Sequence, residues 1–307
     1  MTERFVLLAG ATGDLGGRIA EALINSGASV RALVRTGSRP AATSRLRQLG
    51  ADVVTADLSD LDDLTAVSTG ASCVVSALSG LREVILDTQS VLLDAAVRAG
   101  APRFISSDYS SDYTKTEPGH NRNFDLRREF AGRADRAAIR VTSILNGAFM
   151  DMLGAEMPII QPPIRRVLYW GSPDQPLDFT TRDNTAAYTA AAALDDTAPR
   201  ILRVAGDTVS ARELADAMTT ASGHRYRAQW AGSTGLLRAM IPAVKRLAGD
   251  RPDPVFPAWQ GMQYSLDMYT GDARLEPLDN NRYPNLTWTT VLDRFRNGHL
   301  PGAAASH

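Results

Sequence analysis

The sequence predicts an α/β fold: a doubly wound parallel sheet followed by a smaller C-terminal α+β region. Three observations predict it. Phe5 to Ala9 is a continuous apolar run that ends in Gly10, Gly13, Gly16 and Gly17 and opens a helical pattern at Ile19, as a fully buried first strand and its turn would. Short apolar runs then alternate with helical spacings as far as Leu145, the pattern of βα units with right-handed crossovers. After residue 150 the character changes, with Pro158, Pro162 and Pro163 breaking up the chain.

The first turn reads G-x-x-G-x-x-G, a variant of the dinucleotide fingerprint. Gly10 suits a tight turn, Gly13 would let backbone approach a pyrophosphate, and Gly16 would let the helix pack close to the strand. Backbone N–H groups and the helix dipole would then face the phosphates. A glycine-rich turn that binds nothing is the plainer alternative; the strand before and the helix after favour a nucleotide.

The first helix, Gly16 to Asn25, should end at Ser26-Gly27. A second strand, 29–35, ends on Arg35, followed by Thr36, Ser38 and Arg39. No carboxylate stands where an NAD-preferring unit would bind the ribose, and a cation there suits a 2′-phosphate, so NADP is preferred over NAD. Residues 41–50 read as a short helix and 51–57 as a third strand, after which Asp57 and Leu58 would flank the adenine; Asp57 could also cap a helix beginning near Ser59. Ser72 to Leu78 is a fourth strand ending in Ser79-Gly80. A helix over 81–99 stops at Gly100 and Pro102, and 103–107 is the fifth strand. The polar loop Asp108 to Asn123 is long for a βα connection, and such loops tend to be functional. A helix over 124–134, a strand over 139–145 and the turn Asn146-Gly147 follow.

Beyond residue 150, short strands are expected at 167–170, 177–180 and 200–204. Helices are expected at 183–194, with an Asn184/Thr185 start, and at 210–222, with a Ser210/Glu213 capping box. The stretch 236–247 is amphipathic, and 259–269 carries Trp259, Met262, Tyr264, Met268 and Tyr269, either core or the wall of an apolar pocket.

Bulk properties narrow the function. The formal net charge is −1 over 307 residues and there is no basic run, which removes the electrostatic footprint of a nucleic-acid binder. The single cysteine, Cys73, lies in an apolar run and reads as a buried structural thiol. No apolar stretch reaches the roughly 18 residues of a membrane span. Met1 to Arg4 lead straight into the first strand, leaving no room for a signal peptide. A cytoplasmic protein acting on a small molecule is expected, with a homodimer or a regulatory protein partner left open.

GATGDLGG, VRALVR ending in Arg35, RFISSDYSSDY and NGAFMD together resemble the NmrA-like, isoflavone reductase-like branch of the atypical short-chain dehydrogenase/reductases, over roughly residues 4–205. The resemblance implies a Rossmann domain over 1–150, to which part of 176–205 returns, and a mainly substrate-binding domain over 151–307. It implies NADP as cofactor, with NADPH preferred over NADH. Position by position, Gly10, Thr12, Gly13, Asp14, Leu15 and Gly16 would form the pyrophosphate loop and Arg35 the 2′-phosphate anchor. Asp57 and Leu58 would lie at the adenine, Ala77, Leu78 and Ser79 at the ribose, and Ser106, Ser107 and Asn146 at the nicotinamide. Reductases of the family carry lysine in a pattern like F-x-x-K; here it reads Phe124-Asp125-Leu126-Arg127. The Tyr-x-x-x-Lys pair of ordinary short-chain dehydrogenases is also missing.

Arginine at this position cannot serve as a general base near pH 7, but it can hold a carboxylate or stabilise an oxyanion. Candidates for proton delivery are Tyr109, Tyr113, Lys115, His120 and water; each could equally be a packing or solvated side chain. The expected activity is an NADP(H)-dependent oxidoreductase acting on a small carbonyl, enone, quinone or aromatic compound. The alternatives are a non-catalytic NADP(H)-sensing regulator and a cofactor-assisted isomerase or epimerase.

Overall fold

The computed structural model describes residues 4–154, 156–249 and 255–301; the lead-in Met1 to Glu3 lies outside them. The opening apolar run forms β1 (Phe5–Ala9), buried from Val6 onward. The chain then alternates through α1 (Asp14–Asn25), β2 (Ser29–Val34), α2 (Pro40–Leu49), β3 (Asp52–Thr55), α3 (Leu61–Ser68) and β4 (Ala71–Ser76). A wide π turn over Glu83–Thr88 leads into α4 (Gln89–Arg98), followed by β5 (Arg103–Ser106), α5 (Arg122–Ala134) and β6 (Arg140–Leu145). The remainder comprises β7 (Ala148–Phe149), β8 (Ile160–Gln161), β9 (Arg166–Trp170), β10 (Leu177–Thr180), α6 (Arg182–Leu194), β11 (Ile201–Arg203), β12 (Asp207–Val209), α7 (Ala211–Ser222), β13 (Arg227–Gly232), α8 (Thr234–Ala248), α9 (Ala258–Thr270) and α10 (Val291–Arg296).

Seven strands pair in the order β11-β6-β5-β4-β1-β2-β3, every pair parallel. The order reverses between β1 and β4, and such a switch point opens a crevice at the strands' carboxyl ends. Successive side chains of β1 feed opposite layers, as the period of two demands. Leu8 joins a core with Ile19 and Leu23 of α1, Leu46 of α2 and Tyr188 of α6. Leu7 joins one with Leu64 of α3, Leu92 of α4 and Phe130 of α5. Cys73 is fully buried in the first of these layers, and burial pushes its thiol up to about 12, so it stays protonated.

Two three-stranded sheets, β12-β10-β7 and β13-β9-β8, carry the later part of the chain. Their core contains Leu177, Phe179, Leu214, Met218, Tyr269 and Phe295. Among the described residues no helix is long and apolar enough to cross a membrane.

Several local expectations change. Asp57 does not cap α3: its carboxylate accepts from the Ser59 amide and hydroxyl at 2.8 and 2.7 Å, closing a turn. Asp60, one turn nearer the helix, accepts from the Asp62 and Asp63 amides and is the cap. Likewise α6 begins at Arg182, one residue before the expected range, and its cap is Thr181, whose hydroxyl accepts from the Asn184 amide. The fourth strand ends at Ser76, and its following helix begins as a π turn in which the Thr88 hydroxyl donates to the Glu83 carbonyl. The Ser210/Glu213 box caps α7 as expected. Strands β7, β8, β12 and β13 and helix α10 go beyond what the sequence pattern predicts; all but β13 and α10 are two or three residues long, too short to show a period.

Candidate functional site

The glycine turn is built by backbone contact. Gly10 has φ +84°, and a Cβ there would lie 2.5 Å from the Ala77 carbonyl oxygen. At Gly16 a Cβ would lie 2.1 Å from the Gly10 carbonyl oxygen, and at Gly13 3.3 Å from the same atom. The helix therefore sits directly on the turn, and only glycine permits that approach. Gly13 is the N-cap of α1 and offers no capping side chain, so the first amides face the crevice with the positive end of the helix dipole. Asp14 in that first turn is compensated: it accepts from Arg18 at 2.8 Å and pairs with Arg182 at 3.4 Å, and Arg18 also reaches Asp183.

A groove of about 710 Å³ opens beside the turn, lined by Thr12, Gly13 and Asp14 from the turn, Arg18 from α1, Arg39 at the cap of α2 and Arg45 within it. Arg35 is exposed just past β2, where its carbonyl accepts from the Ser38 amide and hydroxyl. Neither Arg35 nor Asp57, Leu58, Ala77, Leu78, Ser79, Ser106 or Asn146 lines the groove. They lie instead along the strand ends. Asp57 is exposed, with Ser59 holding its carboxyl below the usual range, and Leu58 packs on the second core layer. The Ala77 amide donates to Ala9 of β1, and the Leu78 carbonyl accepts from the Ser107 hydroxyl at 2.6 Å.

At the carboxyl ends of β4, β5 and β6 the site becomes a buried polar cluster. The strand register sets Ser106 beside Ser143, one step beyond the Val75–Ile105 pair that precedes Ser76. Asp108, fully buried two residues past β5, accepts through Oδ2 from the Ser106 and Ser143 hydroxyls, both at 2.5 Å, and from the Tyr113 hydroxyl at 3.3 Å. Ser143 also accepts from Arg200 at 2.6 Å. Gln89, buried in α4, accepts from the Ser107 amide at 2.8 Å and steadies the exit from β5. Several buried atoms here have no hydrogen-bond partner: Ser76 Oγ, Asp108 Oδ1, and both the oxygen and the nitrogen of the Asn146 side chain, which is itself fully buried. Buried polar atoms left unpaired are costly, so three such residues at adjacent strand ends call for an explanation.

The candidate proton donors are distributed unequally. Tyr113 joins this cluster; burial pushes its hydroxyl pKa up, against the opposing charges of Arg200 and Arg127. Tyr109 packs in the core between the sheet and α6, and burial likewise raises its hydroxyl. The ammonium of Lys115 donates to the carbonyls of Arg274 and Glu276 at 3.0 and 2.9 Å. His120 is exposed. Arg127 is half-buried: Nη1 donates to the Asn123 carbonyl at 3.0 Å, and Nε is buried without a partner.

Asp108 was not among the residues singled out from sequence. Its signal is the doubled run Ser106-Ser107-Asp108-Tyr109 and Ser110-Ser111-Asp112-Tyr113, immediately past a buried strand. Both aspartates are fully buried, and Asp112 pairs with Arg203 at 2.6 Å. Among the described residues, no group of three or more His, Cys, Asp or Glu side chains could hold a metal ion.

Comparison with known proteins agrees with this architecture. A model of the NmrA-like family matches residues 2–249. Pinoresinol reductase 2 of Arabidopsis thaliana is 28% identical over 199 residues, 60% of this chain and 63% of that relative; the match thus spans less than two thirds of the relative's length. Among solved structures, one described as AtPrR2 with NADP+ and (+)pinoresinol superposes with a TM-score of 0.80 at 21% identity, covering 97% of this chain and 99% of the other. An NADPH-dependent quinone oxidoreductase from Escherichia coli superposes with a TM-score of 0.73 at 20% identity, covering 95% and 99%. These two are likenesses of fold.

Proposed function

The chain belongs to the NmrA-like family, and we propose that within it this protein is an NADP(H)-dependent oxidoreductase. Hydride would pass between the nicotinamide and a small carbonyl, enone, quinone or aromatic compound. The observation that carries this reading is the pairing of a glycine cradle with orphaned buried polar atoms at the ends of β4, β5 and β6. The cradle fits a pyrophosphate, and the unpaired Asn146 carboxamide and Ser76 hydroxyl fit a carboxamide-bearing ring. The names of a relative, a pinoresinol reductase, and of a fold neighbour, an NADPH-dependent quinone oxidoreductase, point the same way.

Gly10, Thr12, Gly13, Asp14, Leu15 and Gly16 would hold the pyrophosphate. Arg35, with Arg39 and Arg45 at the groove, would meet the 2′-phosphate; a guanidinium matches phosphate geometry, and this favours NADPH over NADH. Asp57 and Leu58 would border the adenine, Ala77 to Ser79 the ribose, and Ser106 and Asn146 the nicotinamide. When bound, the cofactor supplies or accepts the hydride. Arg127, permanently charged, would stabilise oxyanion charge developing on the substrate. The hydrogen-bonded set Tyr113, Asp108, Ser106 and Ser143 would hold the proton that balances the hydride. In this division residues 1–150 carry the cofactor, and 151–307 shape most of the substrate side.

The test is NADPH oxidation by the purified full chain with a panel of quinones, enones and aromatic carbonyls, alongside NADPH binding followed by fluorescence. Turnover with any class supports the reading. A second reading, an NADP(H)-sensing regulator, draws on one observation: Lys115 and the two loop tyrosines are already engaged or buried within the protein. Tight binding without turnover across the panel would favour that reading over the first.

A further inference from the structure

The start of α5 is held from outside its own βα unit. Asn121 is its N-cap, and the Oδ1 of Asn121 accepts from the amides of Asn123 and Phe124 at 3.2 and 3.3 Å. Such a cap closes first-turn amides that would otherwise be unpaired. The cap is itself gripped by α9, far away in the chain. Gln260 donates to the same Asn121 oxygen at 2.7 Å, and Asp267 accepts from the Asn121 nitrogen at 2.8 Å. All three side chains are buried: Asn121 is 1% exposed, Gln260 0% and Asp267 6%.

The contacts run on into the candidate site. Asn123, whose amide is capped, offers its carbonyl to Arg127 Nη1 at 3.0 Å. A continuous hydrogen-bonded path therefore leads from Asp267 and Gln260 through Asn121 and Asn123 to Arg127. The end of that path, Arg127 Nε, is buried and unpaired. Gln263 of α9 adds a weaker contact by accepting from the Arg122 amide at 3.3 Å.

We propose that Asp267 and Gln260 are positioning residues, which fix the first turn of α5 by holding the Asn121 cap and thereby set the guanidinium of Arg127 relative to the strand ends. The proposal rests on the reading of Arg127 as the site's cation. Its physical content is that a long, flexible arginine acts with useful geometry only when its helix and its own hydrogen bonds are fixed. The charged groups that act on Asp267 are His120 from the loop, Arg238 from α8 and Asp272 after α9. The contact to Asn121 needs only an acceptor at position 267, which an asparagine also supplies through its oxygen.

The experiment compares the full-length wild type with Asp267→Ala, Asp267→Asn and Gln260→Leu. Amide hydrogen exchange across Phe124 to Arg127 should accelerate about tenfold in Asp267→Ala and less in Gln260→Leu, as for a weakened cap, with the glycine turn unchanged. Exchange in Asp267→Asn should be no faster than in the wild type. With NADPH and a benzoquinone as probe, Asp267→Ala should lower kcat about tenfold with KM for NADPH within about twofold, and Asp267→Asn should restore kcat. Unchanged exchange in α5, or accelerated exchange with unchanged kcat, overturns the proposal. Should Asp267→Ala not fold, Gln260→Leu decides by the same two readouts. A wild type that turns over no panel compound counts against the oxidoreductase reading alone; the exchange comparison then decides whether α9 sets the first turn of α5.

Discussion

The glycine turn and the 108–123 loop lie at the same edge of one sheet and are specified in opposite ways. The turn is made of backbone against backbone, with Gly16 so close to the Gly10 carbonyl that a Cβ would stand 2.1 Å from it. The loop is made of side chains that meet from distant parts of the chain: Asp108 with Ser143, Asp112 with Arg203, Asn121 with Asp267. A backbone site tolerates almost no added atom but is indifferent to the chemistry of its neighbours. A side-chain site tolerates volume better and fails when one partner is lost.

The sharpest way to break the contrast is a single methyl group. Gly16→Ala forces backbone apart, because the atom it meets belongs to the main chain; we expect a loss of about 3 kcal/mol or more and NADPH binding weaker by at least about 100-fold. Denaturant titration and fluorescence binding measure both. Wild-type binding and stability would show that the turn yields more easily than its packing says.

Asp108→Ala tests the other half. It leaves the hydroxyls of Ser106, Ser143 and Tyr113 without their shared acceptor, with an expected loss of about 3 kcal/mol. A fall in kcat larger than the change in KM for NADPH is expected with it. If stability and kcat are both unchanged, the cluster is not what holds the loop.

Asp267 sharpens the comparison through pH. Desolvation raises its carboxyl to about 6 from an ordinary 3.8, only partly offset by the Asn121 hydrogen bond. The folded state therefore binds this proton more tightly than the unfolded state. This contribution is most favourable below about pH 4, falls as pH rises toward 6, and is level above that. Asp267→Asn should remove the slope and gain on the order of 2 kcal/mol at pH 7.5. Urea unfolding at pH 4.5, 6 and 7.5 would show it, and a slope that survives in the variant sinks the assignment to Asp267.

The smallest expected effect is at the cofactor's charged end. Arg39→Ala or Arg45→Ala should weaken NADPH binding about tenfold, with NADH little affected, because each removes one cation from the groove beside the turn. An equal loss for both dinucleotides would place these arginines away from the 2′-phosphate.

Much of the fold could be read from the chain alone. The end of α1 and the boundaries of β10 and α7 follow from features confined to neighbouring residues: a glycine just past a helix end, a short apolar run between turns, a Ser210/Glu213 box. Asp57 reads as a possible cap, but its carboxylate is taken up by the turn with Ser59, and Asp60 caps α3 instead. Gln89, just past the π turn over 83–88, accepts from the amide of Ser107. Gln89 and Ser107 lie on separate elements, so no periodicity could announce their contact.

The parallel α/β sheet and the glycine turn after its first strand are legible in the chain alone. Both depend on residue type and on spacing within a turn or a strand, where covalent geometry already limits the choices. Only the tertiary structure decided that Asp108 is buried with one oxygen unpaired, that Tyr113 faces it, that Lys115 is drawn to the carbonyls of Arg274 and Glu276, and that α9 grips the cap of α5. Those outcomes depend on which side chains meet when distant segments pack, and on the cost of burying polar atoms there, a cost that exists only once the chain has closed around them.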